Sequence, residues 1–259
     1  MIHKIIEIVK DASQIMETTS FEIKQKGNDS NMVTSADIQV QEYLINHLLP
    51  LIPGSNVIGE EDATIHTENE YTWIIDPIDG TSNFIRDLGL SVISVGLFKK
   101  SQPYIGVIYF PYRNEIFWAE KGNGAFLNGQ PIHVSYRDFA HSHLCSAMSL
   151  YDKTLAKYCF NIIEKVYADS DDLRRLGSAA LELAQLAAGR VELYFEIRLF
   201  PWDVAAAAAI IQEAGGYIEF LFHEDMPFNA PFGAIAANSK ENLDKLRNIV
   251  YTELPCQPY

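Results

Sequence analysis

Residues Tyr71 to Thr81 constrain this chain more than any other stretch. Tyr-Thr-Trp-Ile-Ile-Asp-Pro-Ile-Asp-Gly-Thr is an apolar run that ends in two carboxylates, a proline and a glycine. Short, aromatic and β-branched, Tyr71 to Ile75 has the composition of a strand covered on both faces. Pro77 has no N–H to give a ladder, so the strand is expected to end at about Asp76. Gly80 lets a ligand approach the backbone closely. Thr81 to Phe84 is expected to open a short helix whose free N–H groups face whatever lies beside Asp76 and Asp79. Carboxylates and an anion-binding helix end then share one spot, which makes sense with divalent cations between the acids and a phosphate on the amides.

A second acidic strand tip precedes it. After the stop at Pro53-Gly54, Asn56 to Gly59 reads as a short strand that runs into Glu60-Glu61-Asp62. Alone, three successive acids read as a solvated loop. With another apolar strand ending in acids soon after, the alternative is that two neighbouring strands carry all these carboxylates to one sheet edge.

The charge balance narrows the partners. With 34 acidic and 20 basic residues the formal charge is −14, which argues against a surface built for nucleic acid or anionic membrane. An anionic substrate would need metal help. In 259 residues, 48% hydrophobic content is ample for a sizeable core. Cys145, Cys159 and Cys256 are widely spaced without a CxxC pair, so neither a disulfide framework nor a zinc site is expected. The N-terminus lacks a continuous apolar segment, and the longest apolar stretch, Val204 to Ile211, is too short to span a bilayer. A reducing cytoplasm is the expected location.

In chain order, residues 2 to about 24 have the spacing of an amphipathic packing helix, followed by a polar turn at Lys26 to Asn31. A second helix carries Val40, Tyr43, Leu44 and Leu48, with Asp37 near its start, where an acid on its own complements the helix dipole. Ser91–Phe98, Tyr104–Phe110 and Glu115–Glu120 read as a β-meander, with a short Ala125–Leu127 strand after it. A hinge is expected near 141–149. It divides a 1–145 α+β half, carrying most of the acids, from a 146–259 α/β half, the two forming one compact unit. The second half opens with a helix at Lys153–Val166, and Leu173 to Ala180 forms a turn feeding another. Val191–Phe195 reads as a strand with Glu196 at its end. Asp203 stands where an N-cap belongs for a helix at Val204–Ala214, a structural role worth roughly 1 kcal/mol. Strands at 217–221 and 234–237 and a helix at 240–251 complete it.

Asp76-Pro77-Ile78-Asp79-Gly80-Thr81, with Gly59-Glu60-Glu61 before it and Trp202-Asp203-Val204-Ala205 far downstream, resembles the inositol monophosphatase family, within the lithium-sensitive, magnesium-dependent phosphomonoesterases. Val33-Thr34-Ser35-Ala36-Asp37, Lys121 to Phe126, Gly177-Ser178-Ala179-Ala180 and Glu213 to Gly216 fit the same family order, so the likeness covers nearly the whole chain. The resemblance implies a layered αβαβα sandwich of mixed α+β and α/β character, usually a homodimer. It also implies two to three Mg²⁺ ions, with Mn²⁺ a possible substitute. By position it implies a first metal on Glu60, Asp76 and the Ile78 carbonyl, a second on Asp76, Asp79 and Asp203, and a weaker third beside Glu60. Glu60 and Thr81 would orient and deprotonate water, with Asp37 bonded to Thr81 and Glu61 supporting the metal sphere. Phosphate would rest on amides at Gly80, Thr81 and Ser82. Substrate hydroxyls would meet Asp79, the backbone at Ala179 and the Glu196 carboxylate.

Elementary electrostatics points the same way. Two carboxylates ~4 Å apart repel by about 4 kcal/mol at an effective dielectric of 20, so a cluster of them must protonate or bind cations. Oxygen-only ligands favour Mg²⁺, Mn²⁺ or Ca²⁺ over zinc. No Cys, Ser or His nucleophile with a partner is evident, so direct attack by water is expected. The expected reaction is hydrolysis of a small phosphorylated polyol, sugar or nucleotide, with inositol 1-phosphate first. NADP 2′-phosphate and fructose 1,6-bisphosphate are alternatives within the same chemistry. A pseudoenzyme acting as a binding partner, for example of a transcription complex, is the alternative of a different class. The chain departs from many family members at Ile85 to Leu90, which lacks their His and Pro, and at 150–175 and 219–232. Arg86, Arg174 or Arg175 read either as surface cations or as contacts for a second anionic group.

Overall fold

A computed structural model describes residues 1–18, 21–25, 32–61, 64–148, 152–254 and 256. The polar turn expected at Lys26–Asn31 and the third acid, Asp62, lie outside the described residues.

The amphipathic start folds into helix α1 (Ile2–Thr18), which buries Ile5, Ile8, Val9, Ala12 and Met16 and leaves a Lys4–Glu7 ion pair on the wet face. It ends earlier than the periodicity suggests. Hydroxyl and β-branched residues follow Glu17, and both types favour non-helical backbone. Ile23–Gln25 (β1) then pairs antiparallel with Met32–Thr34 (β2), a hairpin that the helical pattern concealed. Thr34 caps helix α2 (Ser35–Leu48): its hydroxyl accepts from the Ala36 and Asp37 N–H groups, and Asp37 accepts in return from the Thr34 N–H at 2.8 Å.

Two sheets organise the rest. The first contains eight strands: β3 (Asn56–Gly59), β4 (Thr64–Ile65), β5 (Tyr71–Asp79), β6 (Val92–Lys99), β7 (Gln102–Phe110), β8 (Glu115–Glu120), β9 (Ala125–Leu127) and β10 (Gln130–Ile132), in the order β10-β9-β8-β7-β6-β5-β3-β4. A short helix α3 (Thr81–Ile85) follows β5. The second sheet has five strands: β11 (His143–Ser146), β12 (Asp172–Arg174), β13 (Leu193–Leu199), β14 (Tyr217–Leu221) and β15 (Phe232–Ala237), in the order β12-β11-β13-β15-β14.

Helices fill the spaces between and outside the sheets. α1 and α2 cover one face of the large sheet, packing on Trp73, Ile75, Val95, Leu97 and Val107. α5 (Ala179–Ala187) and α6 (Pro201–Glu213) lie between the sheets, against Phe117 and Ile108 on one side and Tyr194 and Ala236 on the other. α4 (Ala156–Ala168) and α7 (Lys240–Glu253) cover the outer face of the small sheet through Ile162, Val166, Leu246 and Val250. The layers are therefore αβαβα.

α6 sits unusually close to the large sheet, and its alanines are the reason it can. A Cβ on Gly106 would lie 2.0 Å from the Ala206 carbonyl oxygen, and one on Gly96 would lie 2.8 Å from Ala205 Cβ. Glycine on the strands and alanine on the helix together permit backbone-to-backbone packing. That contact fixes the height at which the first turn of α6, carrying Asp203, meets the ends of the strands.

Candidate active site

β3 and β5 run parallel with Gly59 opposite Ile75, and the Glu60 N–H donates to the Ile75 carbonyl at 3.2 Å. This register sets Glu60 and Asp76 side by side at the carboxyl ends of adjacent strands. The second acidic tip is thus part of a shared sheet edge. β5 does not stop at Asp76: it pairs with β6 through Asp76↔Ser94 and resumes at Asp79↔Val92, one residue longer than its partner over that span. Pro77 falls inside this bulge, where the ladder needs no donor, which is why the proline does not end the strand. The bulge has a chemical consequence. Residues three apart on a regular strand point to opposite faces, and the extra residue brings Asp76 and Asp79 together.

Asp203 arrives from the other half of the chain. It is the third residue of α6 and not its N-cap; Phe200 holds the cap position, and its N–H donates to Asp203 Oδ2 at 2.6 Å. Pro201 occupies the start of the helix, where a missing N–H costs nothing. One carboxylate oxygen from each of Asp76, Asp79 and Asp203 lies within 4.8 Å of the others.

Such proximity is unfavourable without a counter-charge. Burial, followed by the charges of Glu60, Asp79 and Asp203, pushes the Asp76 carboxyl well above the ordinary range. Burial and then the charge of Asp79 do the same to Asp203. Asp79 is raised by burial to about 6, although Ser178 Oγ (2.6 Å) and the Ala180 N–H (2.7 Å) both donate to its Oδ2. A hard divalent cation relieves this strain, and the donor set of carboxylate oxygens with the adjacent Ile78 carbonyl suits one. The residues therefore fit Mg²⁺.

Behind the acids lies a set of oriented polar groups. Thr81 Oγ1 is within reach of Asp37 Oδ1 (3.2 Å) and the Ile78 carbonyl (3.1 Å), and its single proton can serve only one of them at a time. Asp37 is locked by Thr34, and its own carboxyl is raised by burial against the Thr34 and Thr81 bonds that lower it. Gln41 on α2 exchanges two hydrogen bonds with the Glu61 backbone, at 2.9 and 3.0 Å, and so fixes the end of β3. Gly80 has φ 87°, and a Cβ there would press on the Leu90 and Gly177 carbonyls, so only glycine allows the turn into α3.

The loop before α5 closes the site. Asn83 Nδ2 donates to the carbonyls of Leu90 (2.9 Å) and Leu176 (2.8 Å), while buried Glu182 accepts from the N–H groups of Leu176 (2.5 Å) and Gly177 (3.1 Å). Clamped from both sides, the loop presents Ser178 and Ala180 to Asp79. Glu196 lies within β13 and not at its end; it accepts from Tyr194 Oη at 3.0 Å, and burial followed by the charge of Glu182 raises it to about 8.

A cleft is lined by Glu60, Asp76, Ile78, Asp79, Gly80, Thr81, Ser82, Ala179, Glu196 and Asp203. Asp37 and Glu61 do not line it; Asp37 reaches it through Thr81, and Glu61 follows Glu60 on the β3 tip. Of the arginines considered from sequence, Arg175 lines the cleft, Arg174 is turned to Asp172, and Arg86 is exposed outside it. Ser178, Asn83 and Arg198 were not singled out by sequence reasoning. Ser178 had a legible signal, a serine directly before a helical Ala-Ala-Leu run, which is the N-cap pattern the structure shows. Cys145 and Cys159 are buried and Cys256 is exposed, none of them in a disulfide. No described helix is long and apolar enough to cross a membrane.

Known proteins share both the sequence and the layered fold. The Nus factor SuhB of Escherichia coli K12 is 39% identical over 199 residues, covering 76% of this chain and 74% of that protein. Inositol monophosphatase 3 of Solanum lycopersicum is 34% identical over 226 residues, covering 82% of this chain and 83% of that protein. The crystal structure of the extragenic suppressor protein suhB from Bartonella henselae superposes with a TM-score of 0.88 at 28% identity, covering 98% of this chain and 99% of that one. A model of the inositol monophosphatase family matches residues 1–253, and this chain belongs to that family.

Proposed function

We propose that this protein is a Mg²⁺-dependent phosphatase that hydrolyses a small phosphomonoester, with inositol 1-phosphate the first substrate to test. The observation that carries the reading is the convergence of Asp76, Asp79 and Asp203 from two distant segments, with Thr81 and Asp37 oriented beside them. Two to three divalent cations held by Glu60, Asp76, the Ile78 carbonyl, Asp79 and Asp203 would neutralise the phosphoryl group and lower the pKa of the attacking water.

The protein's own groups do the rest. Amides at Gly80, Thr81 and Ser82, in the first turn of α3 where N–H groups lack intrahelical partners, hold the phosphate. Thr81, donating its proton to Asp37, keeps its lone pairs free to accept from a water, and Glu60 takes the proton that this water gives up. Glu61, fixed through its backbone by Gln41, holds the β3 tip in place. Asp79, the backbone at Ala179 and Glu196 meet the substrate hydroxyls. No covalent phosphoenzyme is involved.

A panel of phosphomonoesters with colorimetric phosphate detection, run with Mg²⁺ and with chelator, tests the reading. Mg²⁺-dependent release from inositol 1-phosphate, NADP or fructose 1,6-bisphosphate supports it, and no release from any of them overturns it. The name of the Escherichia coli relative, a Nus factor, favours a second reading as a binding partner of other proteins. Affinity capture of transcription proteins by an inactive chain would select that reading.

A further inference from the structure

We propose that Ser94, a buried serine on β6, is a positioning residue for Asp76: when divalent cations occupy the acid cluster, its hydroxyl is the donor that orients the Asp76 carboxylate. The inference rests on the phosphatase reading for the presence of those cations.

Ser94 Oγ is fully buried and has no hydrogen-bond partner among the described residues. The strand register shows what lies beside it. β5 and β6 pair Asp76 directly with Ser94, the last regular pair before the bulge, and β6 and β7 pair Ser94 with Ile108. Residues directly opposite each other in an antiparallel pair share a face, with Cβ atoms about 4.5–5.5 Å apart. That separation puts the hydroxyl within one hydrogen bond, or one bridging water, of the carboxylate. The rest of the face is apolar: Ile74, Val92, Phe98 and Ile108 pack there against α5 and α6. Gly96, two residues along the same face, abuts Ala205 in α6, the helix whose first turn carries Asp203. Asp76 is therefore the polar group that the register sets beside this hydroxyl.

Asp76 also lacks what its neighbours have. Asp79 is oriented by Ser178 Oγ and the Ala180 N–H, donors that come from another segment. Asp76 has only the Ile78 N–H, which reaches Oδ1 at 3.1 Å from two residues along its own strand. Carboxylates that ligate metals are themselves hydrogen-bonded, and such a partner is worth about 10–100-fold in metal affinity or activity. A hydroxyl buried without a partner, by contrast, works against the fold. One role accounts for both observations: the Ser94 hydroxyl destabilises the metal-free protein and strengthens the metal-loaded one.

Ser94→Ala removes a single heavy atom, and its effect is read as Mg²⁺ affinity by calorimetry and as melting temperature in chelator. We expect Mg²⁺ to bind at least tenfold more weakly, and the Mg²⁺ concentration that half-saturates phosphate release to rise in step. The chelated variant should melt no lower than wild type, a combination that a merely structural serine would not give. Ser94→Thr, which keeps the hydroxyl, should bind Mg²⁺ within threefold of wild type. Ser146 is the control: it too is buried without a partner among the described residues, but it stands opposite Phe195 in the β11–β13 pair. Ser146→Ala should leave Mg²⁺ affinity within threefold of wild type, and a tenfold loss there would overturn the specific role of Ser94. A Ser94→Ala protein that binds Mg²⁺ within threefold of wild type overturns the inference alone. So does one that melts more than about 2 °C below wild type in chelator, because the hydroxyl would then already serve the fold. A wild-type protein that binds no Mg²⁺ overturns the phosphatase reading and this inference together.

Discussion

Replacing Gly106 by alanine should damage the active site by displacing α6, the helix that carries Asp203. The added Cβ would lie 2.0 Å from the Ala206 oxygen, 2.9 Å from its carbonyl carbon and 3.1 Å from Ile210 Cγ1. The first two are backbone atoms inside α6, so no side-chain rotation relieves the contact. Carbon atoms rest at about 3.5–4.0 Å from their neighbours, so the helix must move by roughly 1 Å or more. Overpacking of this kind costs about 1–3 kcal/mol and occasionally more. Taking the upper figure, with about 2–4 °C per kcal/mol for a chain of this size, the melting temperature should fall by about 6–12 °C. Because Asp203 lies one turn before Ala206, the extra stabilisation given by Mg²⁺ should fall as well. Gly129→Ala is the comparison: nothing lies within 4 Å of its added Cβ, and only the φ of +78° opposes it. That strain costs about 1–2 kcal/mol and should leave the Mg²⁺ response intact. Thermal melts with and without Mg²⁺ measure both effects. A Gly106→Ala protein melting within about 2 °C of wild type, with the full Mg²⁺ response, would refute the packing argument.

Asp203→Asn keeps an oxygen for the Phe200 N–H but removes the charge; activity and Mg²⁺ affinity should fall at least about 100-fold, while the chelated protein melts no lower than wild type, as calorimetry with and without EDTA will report. Thr81→Val removes the hydroxyl that Asp37 orients, so kcat should drop by about 10²–10⁴ with Mg²⁺ affinity little changed, measured by steady-state kinetics against Mg²⁺ titration. Glu182→Ala strips the acceptor from the Leu176 and Gly177 N–H groups, whereas Glu182→Gln retains one; KM should rise in the first and recover in the second, and equal kinetics would contradict the clamp. Burial raises Asp79 to about 6, Glu182 to about 7 and Glu196 to about 8, all above their unfolded values. The folded state then binds these protons more tightly. The stability they contribute is complete below about pH 4 and is lost as pH climbs through 6 to 8. Urea denaturation in chelator should show falling stability between pH 5 and pH 8.5, and Mg²⁺ should flatten the slope; rising stability in chelator would contradict it.

The sequence revealed the acids but not the devices that join them. Asp76, Asp79, Glu60 and Asp203 were legible because each is an acid at the edge of an apolar element, and because their spacing resembled a known family. Local pattern alone put β5's end at Asp76, since a proline cannot pair in a regular ladder. The bulge that absorbs Pro77 is a property of the β5–β6 pair, and no single-strand pattern encodes it. Asp203 was expected at the N-cap, three positions before its actual place in the helix, for a similar reason: Phe200 has no capping side chain, so its place as N-cap is set by the backbone geometry before Pro201. The β1–β2 hairpin was hidden by the continuing helical period of its neighbour. Arg198 illustrates the widest gap between pattern and position. In sequence it is one arginine among apolar residues; it lines the cleft with Glu196 only because β13 carries both there, which no single-strand pattern encodes.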